Sequence, residues 1–299
     1  MRIKYILIVI SIINCSCNNN ITQKYQQEVE IYFCAKINYA FESKAAIDAN
    51  LFPDYSVIGI FGWGHTKEPP TNFVIRKDLN NNQYTSFINS NEFISDTHAH
   101  YPVNPDTLLN FYAYYPYTEA ATATPLSIPF DLKKQDDIMW ATPVLNKDKT
   151  TADQKVNLSF NHILSAITLK FKMAGDTKEY MVLQSVSMEN YPSTVQLNVQ
   201  TGQLSANTAS TPFAFVEGKN QAITSTEVTI VTDYLLYPVE KPVFIVRMSD
   251  KDYRIESKKA LEKGKKQTYT FTIQASDITL SGSINPWVDG GTSNETVYF

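Results

Sequence analysis

The segment Asp96-Thr-His-Ala-His100 holds the residue types with the most chemistry to offer. On an extended chain residues i and i+2 share a face, so Asp96, His98 and His100 would converge as ligands for a zinc-like metal. Such a site needs a further ligand and partners that orient the imidazoles, and no other Cys or His–carboxylate group in the sequence supplies them. The segment therefore reads as a polar loop ahead of Tyr101-Pro102, and no metal is expected. His162 follows Phe160 on the same strand parity, which makes it a hydrogen-bonded structural histidine rather than a base. Asp136-Asp137 suggests the paired carboxylates of glycoside hydrolysis, but adjacent strand residues point to opposite faces. Cys34 has no histidine within thirty residues to activate it, and it falls on the more polar face of its strand. Lys258-Lys259 and Lys263-Gly-Lys-Lys266 form a solvated basic hairpin with glycine at its turn. No phosphate loop, dinucleotide glycine motif, serine elbow or zinc-helix motif is present. The chain is not expected to be an enzyme, and no cofactor is implied.

The elements that would position these residues are strands. Eighteen tyrosines and sixteen phenylalanines with only 19% charged residues favour β-structure over helical bundles or disorder. A net charge of −4 without an arginine-rich stretch leaves no surface for nucleic acid. Val29, Ile31, Phe33, Ala35, Ile37 and Tyr39 alternate with Glu30, Lys36 and Asn38 in a first strand. Val57-Ile-Gly-Ile-Phe-Gly-Trp63 follows, its glycines marking a bulge or a close backbone approach. The aromatic strand Leu109–Tyr115 should pack on both faces. Asn146 to Lys155 is a polar run that reads as a domain boundary. Beyond it Val156, Leu158 and Phe160 are apolar on even numbers, and Ile167, Leu169, Phe171 and Met173 on odd ones. A bulge or kink must therefore lie between Asn161 and Ala166. Further short alternating strands extend to Trp287, and only Ile47–Phe52 and Ser257–Glu262 suggest brief helical turns. The pattern is that of an antiparallel β-sandwich.

The first residues form a secretory signal. Arg2 and Lys4 precede an apolar segment, Tyr5 to Ile13, that is too short to span a bilayer. A cysteine directly after it points to lipid attachment. Cys17 is favoured because the small Ser16 precedes it, and Cys15 is the alternative. The expected division is a signal peptide over 1–16, a tether over 17–28, and β-sandwich domains over 29–150 and 151–299.

Phe111-Tyr-Ala-Tyr-Tyr-Pro116, Gln135-Asp-Asp-Ile-Met-Trp-Ala141 and Leu158-Ser-Phe-Asn-His162 resemble, in that order, the fimbrillin-like lipoproteins of Bacteroides and its relatives. Gly264-Lys-Lys-Gln-Thr-Tyr-Thr-Phe271 and Ile284-Asn-Pro-Trp287 resemble that family's closing strands. The resemblance implies an all-β protein of two tandem antiparallel, transthyretin-like sandwiches, lipid-anchored at the outer membrane, surface-exposed and built into a fimbrium. Its implied partners are other fimbrial subunits, joined by strand addition, and a host or bacterial surface ligand. In such fibres an early strand is cut away and a neighbour's strand replaces it. Here Val29–Tyr39 would leave and Val288–Phe299 would be donated. With no arginine between Arg2 and Arg76, Lys36 and Lys44 would serve as processing sites. Residues 288–299 hold few apolar side chains around Gly290-Gly291, which makes an accessory, tip or anchor role as fitting as that of a subunit. Asp106-Thr107-Leu108 also resembles an O-glycosylation site of this bacterial group. A second reading is a glycan-binding surface lipoprotein of a polysaccharide uptake system, which exposed tryptophans on a shared platform would support; Trp63, Trp140 and Trp287 are the only three, and Trp287 is expected to close the core.

Overall fold

The computed structural model describes residues 28–38, 51–71, 73–151, 155–175, 180–206, 212–249, 251–274, 278–286 and 296–298. The first strands are β1 Phe33–Ile37, β2 Val57–Thr66, β3 Val74–Ile75, β4 Asn82–Ser86, β5 Glu92–Ile94 and β6 Thr107–Tyr115. The next are β7 Ile128–Asp131, β8 Met139–Thr142, β9 Val144–Lys147, β10 Val156–His162, β11 Ser165–Met173 and β12 Met181–Met188. Then come β13 Thr194–Asn198, β14 Gln203–Ser205, β15 Phe213–Val216, β16 Gln221–Ile223 and β17 Val228–Leu236. The last are β18 Val243–Met248, β19 Lys251–Glu256, β20 Lys265–Ile273, β21 Ile278–Pro286 and β22 Thr296–Tyr298. Among the described residues there is no α-helix, only 3-10 turns such as Lys77–Leu79 and Leu132–Lys134.

Nine strands form one sheet in the order β3-β2-β4-β5-β1-β10-β8-β6-β9, and β2 pairs with β6 as well. That extra pairing closes β2-β4-β5-β1-β10-β8-β6 into a hydrogen-bonded ring, which removes their free edges. Inside the ring lie Ile58, Ile60, Leu109, Phe111, Ala113, Leu158 and Phe160. The opposite faces of β2 and β6 carry Phe61, Trp63, Tyr112 and Tyr114 into a second core. These two strands are a wall shared by both cores, which is why their sequences are apolar on both parities. The glycines of β2 permit close approach, as expected. A Cβ at Gly59 would stand 2.3 Å from the Tyr114 ring, and one at Gly62 would stand 2.5 Å from Leu79.

The second core lies between the sheet β17-β11-β20-β21-β22 and the sheet β15-β12-β18-β19, and β7, β13 and β14 also contribute to it. Ile167, Leu169, Phe171, Tyr269 and Phe271 from one sheet meet Val186, Met188, Phe244 and Val246 from the other.

Three details differ from the sequence expectations. The strand beginning at Val156 does not open a second sandwich. It is β10, paired with β1 and β8 in the ring, where Val156, Leu158 and Phe160 fill the interior. In the polar run ahead of it Asn146 and Lys147 end β9 and Lys149–Thr151 form a 3-10 turn, and β7 reaches across to β13. The chain changes cores at Ile163 and Leu164, both fully buried in the second core. The parity switch therefore marks the crossing itself, because one strand face cannot serve both interiors without it. Secondly, pairing is not wholly antiparallel: β1 runs parallel to β10 and β11 parallel to β20. Each parallel pair joins strands far apart in sequence, where no tight hairpin dictates direction. Thirdly, Ser257–Glu262 is a loop in which Ser257 Oγ accepts the Lys259 N–H at 3.1 Å, while most of Ile47–Phe52 lies outside the described residues.

Candidate functional site

β1 is the link between β5 and β10 in the ring. It pairs with β10 from Phe33↔Val156 to Ile37↔Phe160, but with β5 only at Phe33↔Phe93 and Cys34↔Glu92. Flanking backbone bonds extend the hold: Ile31 N–H to Ala99 O, Tyr101 N–H to Val29 O, and Ala35 N–H to Asn91 O, each 2.8 Å. Strand alternation sends Ile31, Phe33, Ala35 and Ile37 inward, all buried. Phe33 meets Tyr84 edge-on at 4.9 Å between centroids and Phe111 at 5.2 Å. Each large inward side chain contributes about 1.5–3 kcal/mol by leaving water. The strand is held by a row of side chains in sockets plus a backbone ladder, the grammar of strand addition.

The outer face explains Cys34. It is buried although it points away from the ring, because Glu92 on β5 and Lys155 before β10 form an ion pair across β1 on that side. Burial pushes the Cys34 thiol up, which suits an inert residue. Tyr32 and Lys36 on the same face are exposed.

Ahead of β1, Glu30 gathers two partners. Its Oε1 lies 2.5 Å from His98 Nδ1, and its Oε2 accepts the Tyr32 hydroxyl at 2.8 Å. The hydrogen bond from His98, then that from Tyr32, holds the Glu30 carboxyl below its ordinary value. Asp96, His98 and His100 do not converge. Asp96 is exposed, His98 turns to Glu30, and the His100 carbonyl accepts Arg76 Nη1 at 2.6 Å. Among the described residues no cluster of three His, Cys, Asp or Glu could hold a metal. The histidine loop serves instead to clasp the start of β1.

His162 is buried, with Nδ1 2.8 Å from Asp137 Oδ2, while Asp136 is exposed. The two aspartates thus have separate surroundings. Trp63 is buried against Tyr112 at 5.0 Å. The Trp140 indole donates to Val199 O at 2.7 Å, and its ring packs over Gly202. Neither belongs to an exposed stacking platform, and Trp287 lies outside the described residues. Lys263 donates to Gly202 O at 3.1 Å. Thr107 is the half-buried first residue of β6, behind an exposed Asp106. Lys36 sits opposite Ser159 inside the β1–β10 ladder. Cys15, Cys17 and Lys44 lie outside the described residues, as do 288–295 and 299. The short β22 from that tail pairs with β21.

Sequence reasoning missed Glu92, Lys155 and Tyr84. The Tyr84 hydroxyl is buried without a hydrogen-bond partner among the described residues, and burial pushes the phenol up. No local pattern marks these residues, because each acquires its role from strands distant in sequence.

Comparison with known proteins adds the following. A family model described as fimbrillin-like matches residues 45–287. No curated protein matches. The fold is similar to a candidate cell adhesion protein from Bacteroides ovatus, at 20% identity and TM-score 0.58, covering 89% of this chain and 100% of that one. A candidate cell adhesion protein from Bacteroides uniformis has 21% identity and TM-score 0.54, with 89% and 100% covered. A fimbrial protein from Bacteroides vulgatus has 12% identity and TM-score 0.53, with 86% and 99% covered.

Proposed function

This chain belongs to the fimbrillin-like family, and on that premise we propose that it is a structural, non-catalytic component of a surface fimbria. It acts as a subunit or as an accessory, tip or anchor piece, with a role in adhesion and assembly. Before processing, a lipid on Cys17, or on Cys15, holds it at the outer membrane, and its strands compose two transthyretin-like sandwich domains. β1 leaves after proteolysis and a strand from a neighbouring subunit takes its slot.

The observation that carries this reading is β1 itself. It is a short strand inserted between β5 and β10, and its departure opens the ring at one seam while β2 and β6 keep both cores walled. Cleavage at Lys44, in the connection after β1, frees the strand whole, whereas Lys36 lies inside the paired ladder. Lys44 is thus the preferred processing site of the two. Treatment with a trypsin-like protease should yield SDS-resistant ladders when a partner strand is supplied, and Lys44→Ala should suppress them. A chain that loses β1 and stays monomeric with every partner offered would refute the reading. Cys17→Ser should abolish membrane partition; retained anchoring would move the lipid to Cys15.

A further inference from the structure

The present occupant of the β1 slot records what the slot accepts. Inward positions run Ile31, Phe33, Ala35 and Ile37, at 3%, 1%, 2% and 5% exposure. The order is large aliphatic, aromatic, small, branched aliphatic, in a strand parallel to β10 and antiparallel to β5. An oversized side chain at the small position would overpack an interior already filled by Leu158, Phe93 and Phe111. Tyr84 adds a demand that β1 leaves unmet. It is 3% exposed, its ring lies against Phe33, and its hydroxyl has no hydrogen-bond partner among the described residues. A buried hydroxyl without a partner is a standing cost of the β1-filled state, which a different strand could remove.

Residues 288–299 do not fit this slot. Every alternate-residue row of Val-Asp-Gly-Gly-Thr-Ser-Asn-Glu-Thr-Val-Tyr-Phe brings Gly, Ser, Thr, Asn or Glu to at least two of the four inward positions. Buried polar side chains without partners and missing apolar volume would both oppose insertion.

We propose that the β1 slot takes an extended segment of a different subunit, and not residues 288–299 of a second copy of this chain. That segment has inward side chains of the order large aliphatic, aromatic, small, branched aliphatic, and it carries a polar atom on the aromatic that reaches the Tyr84 hydroxyl. This selectivity rests on the strand-replacement reading above.

The test uses the full chain with a specific protease site introduced into the 39–50 connection and cleaved, so that β1 stays bound without a covalent link. Fluorescent peptides are then exchanged into it and followed by anisotropy. They are residues 29–39, the same peptide with Phe33→Tyr or Ala35→Phe, and residues 288–299. The native peptide should exchange in. Phe33→Tyr should bind roughly three- to tenfold tighter, a gain that disappears in a Tyr84→Phe host. Ala35→Phe should bind at least about tenfold weaker, and 288–299 weaker still. Binding of 288–299 within tenfold of the native peptide would overturn the selectivity and leave strand replacement intact. Failure of the native peptide itself to exchange, even in mild denaturant, would overturn the reading beneath it. In the uncut chain Tyr84→Phe should hold or raise the thermal midpoint; a fall would mean that the hydroxyl is already bonded and would overturn its assigned role.

Discussion

Glu30 illustrates how a single side chain ties a loop to the start of a strand. Its carboxylate takes hydrogen bonds from His98 and Tyr32, and its backbone bridges to His100. Because the folded-state value is depressed below the ordinary 4.5, the stabilisation is present above that value and is lost as pH falls through the lower folded value. The thermal midpoint of the protein should therefore exceed that of Glu30→Gln at neutral pH, with the gap closing in acid. A gap that stays constant across that range would show that the charge is not what matters. Gly59 makes a different point at the same scale. Its missing side chain leaves room for Tyr114, whose hydroxyl donates to Asn81 Oδ1 at 2.7 Å. Gly59→Ala should cost about 1–3 kcal/mol in urea unfolding. The need for glycine was legible in the run Val57–Trp63, but the ring that occupies the space was not, since Tyr114 is more than fifty residues away. The histidine loop shows the opposite limit. The i, i+2 spacing of His98 and His100 offers a metal site only on paper, because their partners Glu30 and Arg76 come from other elements and spacing alone could not name them.

Among the strands, alternation carried most of the information. β1, β10, β13 and β20 each show buried residues at every second position, and their sequences alternate accordingly. β6 was legible as a strand packed on both faces, and the shared wall explains it. The irregularity after Phe160 was legible too, although its meaning was not. A parity change states that the chain turns over, and only the two cores reveal that it is passing from one interior to the next. β17 is harder to read, because the polar pair Thr232-Asp233 interrupts its apolar run. Asp233, at φ +49, bends a single strand there, and the side chain of Gln135 supports the far end by accepting the Leu235 N–H at 2.8 Å. Element-scale energetics centre on β1. Phe33→Ala removes the ring between Tyr84 and Phe111 and should cost about 3–5 kcal/mol in the intact chain, read from urea midpoints. A cost below 1 kcal/mol would mean that the socket collapses freely and does not define the strand's register.

At the level of the whole molecule, the nine-stranded sheet and the two sheets beyond it are joined through β2 and β6, so loss of β1 opens one side of the ring without stripping the second core. The all-β class and the family were readable from the order of several loose motifs. Long-range pairings such as β1 with β10 were not, because a parallel partner more than a hundred residues away leaves no local trace. The account stands on β1 being separable from a body that remains folded. Hydrogen exchange read by mass spectrometry, on the full chain before and after cleavage in the 39–50 connection and removal of β1, tests that directly. Protection should fall at β5 and β10, which flank the slot, and persist in β11, β18 and β20 of the second core. Uniform loss of protection across both cores, or a β1 that cannot be removed without it, would contradict the account.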